Sequence, residues 1–504
     1  MRALAESDVG VQLVTDVHPT VREGRSALQA IFSFPVMLAA VLVVLTVLTV
    51  RSRLNDPDVW WHLKTGEIIW NTHSIPTTDP FSITANDQPW TAHEWLSQVT
   101  IYGAWKAGGY TGLMIWLCVF PSAFFIAGYV LCSLYSGNSK VALLGALVTW
   151  FFATVGLAVR PHVLGYLLLT CELLIIHLAR LRNPRWFLAL PPLFTVWVNC
   201  HGSFFFGLMI LPVFLCCSFF DFRLGSLISQ RWEKSQQTML IIGIALSIAA
   251  LFINPVGLKH VIYPLDVMLN QPVNLASVDE WQALRLDDVR ALGMLAVAAF
   301  LFLWTLVRRA PLYLEELVLF GLGMGMAARH NRMLFVFGVL AAPMLCRLLS
   351  KTWDRYEPAR DRCAANAVMM MLASIVIVFS FPNAVELDRQ MKTGNPARAV
   401  EYIRRTGLSG RMLNEYVYGG YLIWALPEQR VFIDGRADVY EWAGVLSEYA
   451  AWATLRSDPK ILLDKYRVDF CLMAKGAPMS LVLQYLPGWK VVYSDELSVI
   501  FARS

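Results

Sequence analysis

Apolar residues in this chain come in long unbroken blocks separated by short polar stretches, a pattern of buried or membrane-crossing helices rather than of alternating half-buried strands. Eleven blocks are candidate spans: 28–50, 111–134, 140–159, 161–180, 186–200, 203–222, 237–253, 291–307, 312–328, 332–350 and 366–382. About 20 helical residues, rising 1.5 Å each, cross a ~30 Å hydrocarbon core, so the block at 186–200 is short for the task. The pattern breaks in two places. Residues 51–110 are the most polar part of the first half, and beyond residue 383 the long blocks stop. In that tail "RMLNEY" and "RVFIDGRADVY" predict strands leading into turns or helices. "YRVDFCLMAKGAP" predicts a buried strand with a loop, and "WKVVYSDELSVIFARS" a terminal hairpin turning at Ser494–Glu496. "NPARAVEYIRRTGL" predicts a capped amphipathic helix. The expected architecture is a polytopic α-helical membrane protein of about eleven spans with a small C-terminal α/β domain.

Composition agrees with this reading. Of 504 residues, 57% are hydrophobic and 16% charged, against about 25% charged in soluble domains. The net charge of +5 is mild and does not suggest a nucleic-acid partner. Its placement says more. With the N-terminus inside, the inner loops hold Arg180, Arg182 and Arg185, then Arg223, Arg231 and Lys234, then Arg308 and Arg309, then Arg347, Lys351, Arg355, Arg360 and Arg362. That is the positive-inside pattern, with Arg51 and Arg53 running against it. An odd number of spans then puts the tail outside. The expected domains are a cytoplasmic tail (1–27), a membrane domain (28–382) with its first outer loop at 51–110, and an extracytoplasmic domain (383–504). The block 28–50 is too long for a cleaved signal core and reads as a retained span. Most of the nine Cys lie in apolar runs and there is no CxxC, so neither a disulfide scaffold nor structural zinc is expected.

On this topology the chemistry-bearing residues gather at the outer span ends. Asp56, Asp58 and His62 follow the first span, and His93 and Glu94 lie further along the same loop. Arg160 and His162 join two spans, as do Asn199 and His201; Glu280 sits in a long outer loop; Arg329, His330 and Arg332 form "RHNR". Asp56 and Asp58 flank Pro57. Such a pair suits a hard divalent cation, Mg or Mn, or one of them can act as general base. If Asp58 caps a helix, His62 returns one turn later on the same face. Arg160, Arg329 and Arg332 offer permanent guanidinium forks suited to phosphate, with His330 beside them. Acids on one side and cations on the other suit transfer of a group away from a phosphate carrier.

Plainer readings compete. Asp58 alone is a good helix N-cap. Trp60 and Trp61 read first as interfacial anchors, and the three Arg could be headgroup anchors. "HEWLS" has Ser97 where a zinc protease needs its second His, which excludes that class. Glu172 lies ~16 Å along its helix from Pro161, so it reads as an acid paired within the bundle. Asp434 reads first as a turn-former ahead of Gly435.

The strings "DPDVWWHL", "IPTTDPFS", "HEWL" and "GGYLIW" followed by "FIDGRADVY" resemble, as a set, a bacterial group of GT-C fold glycosyltransferases that use polyprenyl-phosphate-linked sugars. The resemblance implies one or two catalytic acids in the first outer loop, here Asp58 or Asp56 as base or metal ligand. It also implies amphipathic helices along the membrane, matched by "HEWLSQVTIYGAWKAGG", and donor-phosphate contacts at Arg329 or Arg332. The Trp-Trp-Asp motif of asparagine-glycosylating relatives is absent from the tail. The expected function is transfer of a hexosyl or pentosyl group from a polyprenyl-phosphate donor to a lipid, glycan or protein acceptor at the outer face of the cell membrane. The base would be Asp58 or Asp56. Arg160, Arg329, Arg332 and His330 would hold the donor phosphate. His62, His93, Glu94, His162, Asn199, His201 and Glu280 would line the substrate site. The rivals are a transporter or flippase of a lipid-linked solute, which repeats or midplane polar groups would favour, and a non-catalytic assembly subunit.

Overall fold

The computed structural model describes residues 26–504; most of the expected cytoplasmic tail, with Arg22 and Arg25, lies outside the described residues. Each of the eleven predicted blocks contains a helix. Among the described residues, six helices are long and apolar enough to cross a membrane: Trp95–Ser136, Ser139–Gly156, His162–Leu181, Val289–Arg308, Asn331–Leu348 and Cys363–Ser380. Phe34–Val50 and Phe204–Cys217 are shorter apolar helices. The first block is broken: Ala27–Ile31 is a separate turn, and the long helix restarts after Ser33 with Pro35 in its first turn. "HEWLSQVTIYGAWKAGG" ends where predicted, because Gly108 and Gly109 leave helical geometry and separate a loop helix from the span that follows. The block at 203–222 stops being helical at Cys217. Beyond it, Phe222–Leu224 and Leu227–Ser229 pair with Leu312–Tyr313 in a small sheet that no sequence pattern announced.

The tail folds around a four-stranded sheet. Met412–Asn414 runs parallel to Phe470–Ala474, which pairs antiparallel with Ser498–Arg503, and the edge strand Trp489–Ser494 completes the terminal hairpin. The amphipathic helix spans Ala397–Thr406 and ends on Gly407. "RVFIDGRADVY" departs from expectation. Val431 makes only an isolated bridge to Ser82, and the segment runs on to a helix at Ala437–Trp442. Side-chain bonds hold it in place of a ladder: Asn414 Nδ2 donates to the Ile433 carbonyl (2.8 Å), and the Phe432 N–H donates to Asn414 Oδ1 (2.7 Å).

The tail shares its core with the first loop. Trp61, Phe81 and Trp90 are buried in one cluster with Phe432, Tyr440, Phe470 and Ile500. Below it, Leu387 and Met391 join the core of the helical bundle. Trp60 and Trp61 are therefore not interfacial anchors: both are buried, Trp60 edge-on to Tyr421 (5.1 Å) and Trp61 against His62 (3.6 Å). Glu172 is buried beside Gly207 and Trp197, and neither carboxylate oxygen has a hydrogen-bond partner among the described residues, so the expected pairing within the bundle is not found.

Candidate active site

A cavity of about 660 Å³ opens between the first loop, the ends of the bundle helices and the tail. Its lining includes apolar side chains, Phe205, Phe206, Met268 and Phe335, from the bundle and the loop helix Leu258–Asn270, and charged or polar ones, Asp58, His62, Glu94, Arg160, Glu280 and Arg332. Residues far apart in sequence thus meet around one space, apolar and charged side chains together.

The charged centre is Arg160, on the turn that Pro161 ends at the start of the helix His162–Leu181. Its Nε lies 2.7 Å from Asp56 Oδ1, its Nη2 3.1 Å from Asp58 Oδ2 and its Nη1 2.9 Å from Glu280 Oε1. Asp58 occupies the N-cap position of the helix Val59–Thr72, but its side chain makes no capping bond. It turns to Arg160 instead, and its Oδ1 accepts from Trp61 Nε1 (3.1 Å). Asp56 Oδ1 accepts the Asp58 N–H (3.0 Å), which fixes the Asp-Pro-Asp turn. Burial raises the Asp58 carboxyl to about 6 against the pull of Arg160. Burial also opposes ionisation of Glu280, but Arg160 and Arg332 hold its carboxyl below the ordinary range. Arg332 stacks over the Trp281 ring at 4.3 Å and reaches Glu280 at 3.8 Å.

A second cluster surrounds Glu94. His201 Nε2, His93 Nε2 and His62 Nδ1 stand 3.5, 3.7 and 3.8 Å from its carboxylate oxygens. Partners assign two tautomers. The Ser203 N–H donates to His201 Nδ1 (3.1 Å), leaving that ring's proton on Nε2; His93 Nδ1 faces the Thr91 carbonyl (3.2 Å), leaving the lone pair on Nε2. Burial lowers His62 and His201 well below the usual imidazole range and His93 to about 3, while it raises Glu94 to about 8. At neutral pH this is a protonated carboxyl among neutral imidazoles, a set of uncharged donors and acceptors suited to sugar hydroxyls.

Of the residues expected from sequence, Asp58, His62, His93, Glu94, Arg160, His162, His201, Glu280 and Arg332 line the cavity, and Asp56 stands behind Asp58. Three others do not come to it. Arg329 is exposed at the end of the helix Leu314–Arg329 and does not line the cavity. His330 Nδ1 meets the Trp281 carbonyl (2.7 Å) and supports that ring from outside. Asn199 uses its whole amide structurally, accepting from Trp95 Nε1 (2.7 Å) and donating to the carbonyls of Thr195 (2.8 Å) and Ile253 (2.9 Å). Sequence reasoning missed Tyr263, which stacks on His93 (3.9 Å) and donates to Asp438 Oδ2 (2.8 Å). It also missed Asp79, although the "DPFS" string contains it. As for a cation on the Asp pair, both carboxylates are engaged by Arg160, and among the described residues no group of three His, Cys, Asp or Glu is placed to hold a metal ion.

Residues of the tail line the cavity as well, among them Tyr416, Gly435 and Asp438. Gly435 stands against Asp58 so closely that a Cβ there would lie 1.9 Å from Asp58 Oδ1; a Cβ on Gly420 would lie 2.4 Å from the Pro57 carbonyl oxygen. Asp434 is no mere turn-former. It is buried and accepts from Arg436 Nε (2.8 Å) and Nη2 (2.6 Å) and from Tyr440 Oη, while Arg436 Nη1 lies 2.7 Å from Asp79 of the first loop. The strings that stand apart in sequence are one packed unit.

No family model and no curated protein matches the sequence. Solved structures do. An oligosaccharyltransferase from Archaeoglobus fulgidus, tethered to an acceptor peptide containing the NVT sequon, aligns with 94% of this chain and 75% of its own, at a TM-score of 0.52 and 12% identity. ArnT from Cupriavidus metallidurans, bound to undecaprenyl phosphate, aligns with 93% of this chain and 97% of its own, at a TM-score of 0.51 and 12% identity. The chain has the GT-C fold. It is a polytopic helical membrane protein, as the apolar blocks implied. In this GT-C chain the cavity opens where the first loop meets the bundle, and Asp58 lines it beside Arg160.

Proposed function

We propose that this protein is a membrane glycosyltransferase that moves a sugar from a polyprenyl-phosphate donor to an acceptor hydroxyl at the outer face of the cell membrane. The observation that carries the reading is the mixed lining of the cavity, in which apolar side chains suited to a prenyl chain stand in one space with an acid, Asp58, and a cation, Arg332. The solved neighbours support it by what they hold: undecaprenyl phosphate in one, an acceptor peptide in the other. In the reaction the acceptor oxygen bonds to the anomeric carbon while Asp58 takes its proton. The bond from that carbon to the phosphate oxygen breaks, and its electron pair leaves with the polyprenyl phosphate, whose charge faces Arg332. Attack from the side opposite the leaving group inverts the anomeric centre. Asp56 orients Asp58, and the neutral imidazoles around Glu94 hold sugar hydroxyls. No step is routed through a metal. Release of polyprenyl phosphate by the reconstituted protein, assayed over a panel of hexosyl and pentosyl donors, tests the reading; a protein that consumes none of them refutes it.

The pH dependence follows from two groups. A base must be ionised, so activity is expected to fall as pH drops through about 6, where Asp58 takes up its proton. Glu94 serves as a hydrogen-bond donor only while protonated, so activity is also expected to fall above about 8. Glu94→Gln, which keeps a neutral donor, is expected to remove the alkaline limb and leave the acid limb. An alkaline limb unchanged in that variant would refute the assignment of Glu94.

The membrane arrangement belongs to the same reading. Residues 28–382 form the membrane domain with the N-terminus inside, and residues 51–110 and 383–504 stand together on the outer side. A phosphatase fused after Ser504 is expected to be active and a fluorescent protein fused there dark. The reverse result would turn the topology over.

A further inference from the structure

We propose that the Arg160 guanidinium is the resident cation of the Asp56–Asp58–Glu280 cluster, taking the place a divalent metal would fill, so that transfer proceeds without Mg or Mn. The inference rests on the glycosyltransferase reading only for the word transfer; the occupancy of the cluster stands by itself.

Each of the three guanidinium nitrogens is taken by a different carboxylate: Nε by Asp56, Nη2 by Asp58 and Nη1 by Glu280. These acids come from two distant places in the chain, and Arg160 from a third. The guanidinium does for them what a multidentate ion would do: it gathers them, offsets their repulsion and fixes their directions. It cannot leave by losing its proton, because an Arg stays charged at any working pH. Burial opposes its charge, yet Asp58, Asp56 and Glu280 more than compensate and hold its proton more firmly than usual. A divalent ion would need the same oxygens at about 2.0–2.6 Å. Those oxygens now lie 2.7, 3.1 and 2.9 Å from Arg160 nitrogens, so ion and guanidinium would stand within a few ångströms of each other with like charge. One must exclude the other, and Arg160 is tethered while the ion is not.

The arrangement has a chemical consequence. A metal bound by Asp58 would occupy the lone pairs that the acceptor proton needs. Arg160 pairs with Oδ2 and Trp61 Nε1 donates to Oδ1, one contact to each oxygen, and the guanidinium favours the ionised form of Asp58, leaving it available as a base. Arg160 is therefore a positioning residue for Asp58 rather than a donor-phosphate ligand, and Arg332 is left to face the phosphate.

Mn²⁺ binding by the purified full-length protein, read by electron paramagnetic resonance, tests this without any donor. Wild-type protein is expected to leave Mn²⁺ free, and its transferase activity to be unchanged by a chelator. Arg160→Ala, which frees three carboxylates, is expected to bind one Mn²⁺ at least about ten-fold more tightly than wild type. Adding Asp56→Asn to Arg160→Ala is expected to release that ion. Arg160→Lys, which keeps the charge, is expected to bind none. A wild-type protein that holds one Mn²⁺, lost on Asp58→Asn, would overturn the proposal, as would a folded Arg160→Ala protein that gains none. If Arg160→Ala does not fold, the wild-type binding measurement decides. If no donor is ever turned over, the transferase reading fails while the Mn²⁺ result still settles what occupies the cluster.

Discussion

Asp58→Asn is expected to lower turnover by about 10²–10⁴-fold, the range by which a positioned base accelerates proton transfer. The substitution preserves size and removes the ionisable oxygen that lines the cavity. Trp61 Nε1 donates to Asp58 Oδ1, and Arg160 Nη2 pairs with Oδ2 at 3.1 Å. An amide can satisfy only one of them with its oxygen and meets the other with its own N–H, so a modest loss of stability accompanies the loss of rate. Asp56→Asn is expected to cost less, because Asp56 does not line the cavity and acts by holding the Asp58 N–H and Arg160 Nε. The measurement is the rate of polyprenyl phosphate release at saturating donor, with thermal melting as a check on folding. Retention of most of the wild-type rate in Asp58→Asn would mean that the acceptor proton goes elsewhere, and the mechanism proposed here would fall.

Arg436→Met is expected to destabilise the protein by about 3–5 kcal/mol, the cost of removing one partner from a buried ion pair. Arg436 is almost wholly inaccessible, and it lies between Asp79 of the first loop and Asp434 of the tail, both fully buried. Its guanidinium also packs over Phe81 (4.8 Å) and Trp90 (4.7 Å). Methionine keeps part of the packing and leaves two carboxylates facing each other without a cation. Burial pushes the Asp79 carboxyl upward, but Arg436, Ser82 and the Phe81 N–H outweigh it and hold the group below its ordinary range. A depressed folded-state value contributes stability above the unfolded value and loses it as pH falls through the folded one, so the Asp79 contribution is present at neutral pH and disappears in acid. The variant should lack that contribution, melt at a lower temperature and expose the tail to protease. Adding Asp79→Asn should recover part of the loss. Because Gly435 abuts Asp58, the same variant should also lose activity at temperatures where it remains folded. A melting temperature equal to wild type would show that the joint between loop and tail does not depend on this ion pair.

Part of this was legible in one dimension. Helical blocks could be read because apolar burial repeats locally, and each of the eleven contains a helix. The terminal hairpin and the strand around Phe470 could be read for the same reason, since strand burial also has a local signature. The grouping of acids, imidazoles and guanidiniums at one set of span ends followed from topology alone, and Asp58, Arg160, Glu280 and Arg332 do meet. The reading failed where a local feature had two uses. "RVFIDGR" has strand composition but spends its backbone on Asn414, and Trp60 and Trp61 have the look of interfacial anchors but are buried, Trp60 in the bundle core against Tyr421 of the tail and Trp61 in the core of the tail. "RHNR" offered two arginines three positions apart, and only the tertiary geometry brought Arg332 to the cavity and left Arg329 outside it.

By itself, then, the order of residues determined the helical blocks, the terminal hairpin and which residues carry chemistry near the span ends, because hydrophobic periodicity and span-end placement are properties of neighbours in sequence. Tertiary structure alone decided that Arg160 binds three acids, that Glu94 sits among three imidazoles and stays protonated, and that the tail walls Asp58. Those outcomes depend on distances between residues brought together by the fold, such as Arg160 with Asp56 and Glu280 or His201 with Glu94, about a hundred or more positions apart, and on the water excluded between them, and neither quantity is written in any local stretch of the chain.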